Sequence, residues 1–161
     1  MSESYQETLS GEMTRRCAPG RSHEIVCRRL HDLLGECLER VSTSRLLTIR
    51  EPVQLVPGTV VRPDLTLVTT ATGKPWLICE VIDSEDHHTD TVIKKTIYEE
   101  TGLPRLWMVD PRYNNVEVYH GTPYGLSLRA ILAVRDQLTE SLIPEFGIAI
   151  PDLFAPPREG L

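Results

Sequence analysis

Asp64, Glu80 and Lys94 are the residues of this chain whose types and spacing suggest chemistry. Asp64 lies in the β-rich run Val60 to Thr69 and Glu80 in Trp76 to Ile82, with Ala71-Thr-Gly-Lys-Pro75 between them as turn chemistry. If the two runs form a hairpin turning near residue 72, paired residue numbers sum to about 144, which sets Asp64 opposite Glu80. Cross-strand partners have Cβ atoms ~4.5–5.5 Å apart, so two like charges there repel. A divalent cation would compensate them, because hard carboxylate oxygens suit Mg²⁺ or Mn²⁺. The Val81 carbonyl, next along the chain, is a further candidate ligand. The competing arrangement is a register slipped by a residue or two, which turns one acid to solvent. On the repulsion reading, removing Asp64 or Glu80 from the metal-free protein leaves stability unchanged or raised.

The third residue depends on a helix expected over Asp90 to Thr101 and stopped by Gly102 and Pro104. At 100° per residue, Ile93, Lys94, Ile97 and Tyr98 share one arc, and Lys95 and Glu99 point away from it. A lysine aimed at a core needs a carboxylate, and Asp64 and Glu80 are available. The alternatives are a Lys94 that snorkels along the helix edge or pairs with Asp90. Two acids, an ion and a lysine are the parts of a metal-dependent phosphodiesterase: the ion lowers the pKa of a bound water, and the lysine offsets developing charge.

These residues need a scaffold. Ser22 to Val41 reads as an amphipathic helix, with Ser22 as N-cap and Val26, Leu30, Leu33, Leu34, Cys37, Leu38 and Val41 on one face. Arg45 to Val56 reads as extended with a break near Pro52, and further strands are expected at Arg105 to Val109, Val116 to His120, Gly125 to Leu132 and Phe146 to Ile150. The order is α-β-β-β-α-β followed by more strands, an α/β (α+β) arrangement around a central mixed β-sheet. His87-His88, beside Asp86 and Asp90, suits a transition metal on paper but reads as a solvated loop. His23 sits at the start of the first helix's apolar face, where it caps the core or approaches the site. No GxSxG elbow and no phosphate-cradling glycine loop occurs.

Arg62-Pro-Asp64, Glu80-Val81, Asp90, Lys94, Tyr98-Glu-Glu-Thr-Gly-Leu-Pro104 and Leu106-Trp-Met-Val-Asp-Pro111, in that order, resemble the Uma2 family of the PD-(D/E)XK, restriction-endonuclease-like superfamily. The resemblance runs from about Gly11 to Phe154. It implies an αβββαβ core with extra C-terminal strands, metal binding at Asp64 and Glu80, and the superfamily lysine displaced from the strand, where Ile82 stands, to Lys94 on the following helix. Glu12 matches a recurrent Gly-Glu of the family. Glu12, His23, Asp90 and Tyr98 are thereby candidates for residues that touch the metal ligands. The family commonly has a small-residue Ser-Pro-Ser stretch where this chain has Asp83-Ser-Glu85, and an acid where it has Arg105.

The chain has 161 residues and a mass of 18.2 kDa, which suggests one nuclease-like domain over 1–161 with its core at about 11–154. The net charge of −6 argues against a general nucleic-acid coat protein. Residues 1–50 nevertheless carry eight arginines against seven acids. Cys17, Cys27, Cys37 and Cys79 form no CxxC and read as reduced thiols. With no apolar leader and no run of ~18 apolar residues, a cytoplasmic location is expected. Two functions follow. One is a Mg²⁺- or Mn²⁺-dependent endonuclease acting on DNA, working as a homodimer through the strands after Asp110 (Val116, Val118, Tyr119, Leu126, Leu128). The other is a catalytically inactive relative serving as a homo-oligomeric interaction module.

Overall fold

The computed structural model describes residues 3–83 and 89–157. Ser84, Glu85, Asp86, His87 and His88 lie outside the described residues, as does the side chain of Asp90.

The first elements are ones the sequence reading did not contain. Strands β1 (Tyr5–Leu9) and β2 (Glu12–Arg16) form a hairpin with Leu9 opposite Glu12. Ser10 and Gly11 between them have φ of 52° and 85°, the two left-handed residues that a two-residue type I′ turn requires. Ordered elements therefore begin at Tyr5, ahead of the residue-11 boundary expected above. Helix α1 spans Arg21–Leu38, shorter than Ser22 to Val41 at its end. Its N-cap is Gly20 in place of Ser22, and the Gly20 N–H donates to Asp83 Oδ2 at 3.2 Å.

The extended stretch after α1 is split into β3 (Ser44–Leu46) and β4 (Val53–Val56), because Arg50 takes a φ of 57° and reverses the chain. Next come β5 (Thr59–Val61), β6 (Leu65–Thr69) and β7 (Pro75–Val81). The β6–β7 register is Leu65↔Cys79, Thr66↔Ile78 and Leu67↔Leu77, the alignment that the turn position implied.

A π-helical segment, Thr89–Lys94, leads into helix α2 (Lys95–Glu100). Strands β8 (Arg105–Asp110), β9 (Asn115–Thr122) and β10 (Gly125–Leu132) follow, then β11 (Gln137–Glu140), β12 (Ile143–Ala149) and the short helix α3 (Ile150–Phe154).

The central sheet has the order β10-β9-β8-β7-β6-β3, and β7 and β8 run parallel while its other neighbours are antiparallel. It is the mixed sheet that the α-β-β-β-α-β order implied. Side chains alternate along β7. Leu77, Cys79 and Val81 join a core with Leu30 and Leu34 of α1 and with Trp107, Phe146 and Leu153. Ile78 and Ile82 join Tyr98 of α2, Leu106 and Met108. The second core also takes Leu9, Val53 and Val61 from the separate sheet β2-β1-β5-β4. The end of β7 is thus enclosed from both sides.

Two expectations change here. Val116, Val118 and Tyr119 are buried in the chain's own cores, and Leu128 and Ile131 of edge strand β10 are the exposed apolar residues of that region. Ile93 is 41% exposed while Lys94 is fully buried. The i→i+5 bonding of the π segment alters the angular phase, so the arc drawn at 100° per residue holds for Lys94, Ile97 and Tyr98 but loses Ile93.

Candidate active site

Glu80 lies one residue from the end of β7 and is 3% exposed. It shares the strand face of Ile78 and Ile82, which looks toward α2. Its Oε1 sits 2.7 Å from Lys94 Nζ and accepts the Tyr98 hydroxyl at 2.5 Å. Lys94 is fully buried and also donates to Glu7 Oε2 at 2.9 Å. Glu7 comes from β1 and is held in turn by the Arg62 backbone N–H at 2.6 Å and by Arg16 Nε at 3.4 Å. Burial, the Glu80 carboxylate and other charges raise the Tyr98 phenol well above its ordinary value, so it stays a donor.

Asp64 directly precedes β6 and is 2% exposed. It is satisfied by different elements. Oδ2 accepts the Val81 N–H at 2.8 Å, the amide next to Glu80. Oδ1 accepts Arg50 Nη1 at 3.0 Å and lies 3.2 Å from His23 Nε2. Arg50 reaches this position because its own backbone N–H donates to the Asp64 carbonyl at 3.3 Å, which fits its left-handed φ. Its second arm meets Glu24 Oε1 at 2.6 Å.

Burial alone would lower the His23 pKa, but the Asp64 carboxylate outweighs it, with help from Glu24, and pushes it up to about 9. Burial opposes the charge on Asp64 as well, yet His23, the Val81 amide and Arg50 hold its carboxyl below the usual range. His23 and Asp64 are therefore an imidazolium–carboxylate pair at neutral pH.

The structure places Lys94 and Tyr98 on Glu80 and His23 on Asp64. Glu12 is exposed beside the hairpin turn, where it pairs with Leu9 and reaches no other residue of the site. The acid that the N-terminal segment contributes is Glu7. Glu7, Arg16 and Arg50 were missed from sequence. The alternation Tyr5-x-Glu7-x-Leu9 ahead of a Ser-Gly two-residue turn was the available signal for Glu7. Lys95 is not a purely solvent residue either, since its Nζ lies 4.5 Å over the Tyr119 ring. The repulsion reading of Asp64 and Glu80 is overturned, because each acid has its own protein cation.

Asp64, Glu80 and the Val81 carbonyl bring only oxygen donors, the ligand type a hard divalent ion takes. Ligand atoms of His23, Cys27 and Asp64 also lie within 4.8 Å of one another. The Asp64 carboxylate favours the protonated His23 and burial pushes the Cys27 thiol well above its ordinary pKa, so an ion bound there would have to displace both protons. All four cysteines are free thiols, with Cys27 and Cys79 buried, Cys37 half-buried and Cys17 exposed.

Comparison with known proteins bears on the family and the fold. The family model Uma2, described as "Putative restriction endonuclease", matches residues 2–151. The fold is similar to a crystal structure, at 1.96 Å resolution, of a putative nuclease belonging to DUF820 from Anabaena variabilis ATCC 29413. The TM-score is 0.78 at 16% identity, covering 93% of this chain and 89% of that one. No curated protein matches the sequence. No helix among the described residues is long and apolar enough to cross a membrane.

Proposed function

The chain belongs to the Uma2 family of putative restriction endonucleases, and from that premise we propose that it is a Mg²⁺- or Mn²⁺-dependent endonuclease hydrolysing DNA phosphodiester bonds in the cytoplasm. The observation that carries this reading is the buried ammonium of Lys94, 2.7 Å from Glu80 Oε1, where the next amide along the chain binds Asp64. What a divalent ion supplies when bound by Asp64, Glu80 and the Val81 carbonyl is a polarised phosphoryl oxygen and a more acidic water. Lys94 orients that water and offsets the charge that develops as the new P–O bond forms and the old one breaks. Tyr98 and Glu7 fix Lys94 and Glu80 in place. Arg50 and His23 keep Asp64 ionised.

Cleavage of plasmid and single-stranded DNA, with and without Mg²⁺ or Mn²⁺, tests the proposal. Metal-dependent cleavage that disappears in both Asp64→Ala and Lys94→Ala is expected. Cleavage that survives Asp64→Ala overturns it. The same reading includes a homodimer paired along edge strand β10, where Leu128 and Ile131 are exposed. Light scattering should then give twice the 18.2 kDa chain mass.

One observation favours the second reading, a catalytically inactive interaction module. Glu7, Asp64 and Glu80 all meet protein cations, as in a purely structural ion network. A folded protein with no cleavage, and with the same Mn²⁺ affinity in wild type and Asp64→Ala, would establish it.

A further inference from the structure

We infer that His23, Cys27 and Asp64 form a second metal site, which takes a thiophilic divalent ion of the Zn²⁺ class and, when filled, withdraws Asp64 from the hard-ion site. The inhibition rests on the nuclease reading; the binding does not.

Two observations carry this. First, the donors are already gathered. His23 and Cys27 stand four residues apart on α1 and so share one face, the spacing at which two helical side chains chelate one zinc ion. Asp64 meets that face from the start of β6. Cys27 Sγ lies 3.6 Å from His23 Nδ1, and Asp64 Oδ1 lies 3.2 Å from His23 Nε2. One ligand atom from each of the three residues lies within 4.8 Å of the other two. A tetrahedral zinc ion holds nitrogen, oxygen and sulfur at about 2.0–2.3 Å, which spaces the donors about 3.2–3.6 Å apart. A turn of the imidazole that commits one nitrogen to the ion therefore brings the set to ligating distance. Glu24 Oε1, on a partly exposed side chain 3.4 Å from His23 Nδ1, offers a further oxygen.

Second, this donor set differs in kind from Asp64, Glu80 and the Val81 carbonyl. A thiolate and an imidazole suit Zn²⁺, while an all-oxygen set suits Mg²⁺ and Mn²⁺. Cys27 is fully buried and His23 is 6% exposed, so a captured ion is held inside the protein. Asp64 is common to both sets, and one carboxylate that already spends Oδ2 on the Val81 amide has a single oxygen left to give.

The exchange balances. The incoming ion brings two positive charges, and two protons leave to solvent, one from the imidazolium of His23 and one from the thiol of Cys27. The net charge of the cluster is unchanged, and Arg50 keeps Glu24 at 2.6 Å. No unpaired charge is left buried.

Co²⁺ is the probe, because its thiolate complexes absorb light and Zn²⁺ displaces it. The full chain, reduced and free of Mg²⁺ and Mn²⁺, is titrated with Co²⁺. About one equivalent should produce thiolate-to-cobalt charge-transfer absorption, and Zn²⁺ should bleach it. Cys27→Ser should abolish the band. Cys17→Ser and Cys37→Ser, at the exposed and half-buried thiols, should keep it. Asp64→Asn should keep the band and weaken Co²⁺ binding by more than about tenfold. Circular dichroism checks the fold of each variant; if Cys27→Ser does not fold, Asp64→Asn and His23→Gln decide, and unchanged Co²⁺ affinity in both overturns the site.

A wild type without the band, or a band that survives Cys27→Ser, also overturns it. If the band behaves as expected while the wild type cleaves nothing in Mg²⁺ or Mn²⁺, the metal site stands and the nuclease reading falls. If the wild type cleaves and shows no band, the reverse holds. Where both stand, stoichiometric Zn²⁺ should slow Mg²⁺-dependent cleavage by about tenfold in the wild type and far less in Cys27→Ser, each compared with its own rate without Zn²⁺. Equal inhibition of the two would overturn the withdrawal of Asp64.

Discussion

The two acids at the end of the β6–β7 pair are kept ionised in different ways. Glu80 is held from the α2 side by Lys94 and Tyr98, both fully buried, with Glu7 sharing the lysine. Asp64 is held from the α1 side by His23 and Arg50, the latter half-buried and tied to Glu24. The Glu80 half is a network whose cation is fully buried between two acids. The Asp64 half contains an imidazole, which can release its proton near physiological pH once the Asp64 carboxylate is gone. Loss of a partner should therefore be severe in the first half and partly self-correcting in the second.

The sharpest way to break that contrast is Lys94→Ala. It strips the shared cation from two buried acids, Glu7 and Glu80, and removing one partner of a buried pair costs about 3–5 kcal/mol. At this chain length that corresponds to a fall in Tm of about 10 °C. Cleavage should vanish, while Mn²⁺ affinity stays within about tenfold because a protonated amine is no ligand. Asp64→Ala should cost less, about 2 kcal/mol. His23 can discharge, and Arg50 keeps Glu24. Thermal melts in EDTA check both, and a larger loss in Asp64→Ala would invert the comparison.

The second test uses pH on the metal-free protein. The folded pKa of His23 is about 9, raised above its ordinary 6.5. Protonation therefore favours the fold, and this stability is fully present below pH 6.5 and lost as pH rises through about 9. The loss is on the order of 3 kcal/mol. The lowered pKa of Asp64 expresses the same attraction from the other partner, so the two are not added; its own loss comes only as pH falls below the ordinary carboxylate range. His23→Gln should flatten urea stability between pH 6.5 and 10. A slope that persists in that variant would assign the titration elsewhere.

These halves were unequally legible in the sequence. The hairpin register came from one turn, and it placed Asp64 opposite Glu80 because strand period and turn position leave little freedom. Lys94 came from helical phase, which survived the π segment for that residue and failed for Ile93. Of the cations on Asp64, His23 was a candidate in the sequence, and Arg50 was not readable. Arg50 arrives from a left-handed residue between β3 and β4, and no local pattern announces such a long-range contact. Glu7 was hidden for another reason: a five-residue strand of mixed polarity looks like a solvated terminus unless its Ser-Gly turn is weighted. Expecting relief of repulsion on removing an acid followed from seeing the anions without their partners.

Tyr98→Phe probes the Glu80 half more gently. The hydroxyl donates to a buried carboxylate that keeps Lys94, so the cost is one hydrogen bond to a charged group, about 1.5–3 kcal/mol. No cavity opens, and the ring stays packed among Ile78, Ile97 and Leu106. Cleavage should fall by less than in Lys94→Ala, and the metal dependence should persist. A Tm equal to that of wild type would mean that Lys94 alone satisfies Glu80.

Lys95→Ala marks the outer boundary of the same half and should have the smallest effect. Lys95 follows Lys94 directly, yet its ammonium lies over the Tyr119 ring at 4.5 Å, on the partly exposed side of α2. A cation–π contact of this kind is worth about 0.5–1 kcal/mol. Alanine is also the better helix former, which offsets part of the loss. The net change in urea stability should stay below about 1 kcal/mol, with cleavage and Mn²⁺ affinity as in wild type. If Lys95→Ala instead matched Lys94→Ala in stability and activity, the buried charge would belong to the neighbouring residue, and the phase of the π segment in solution would differ by one position from that described here.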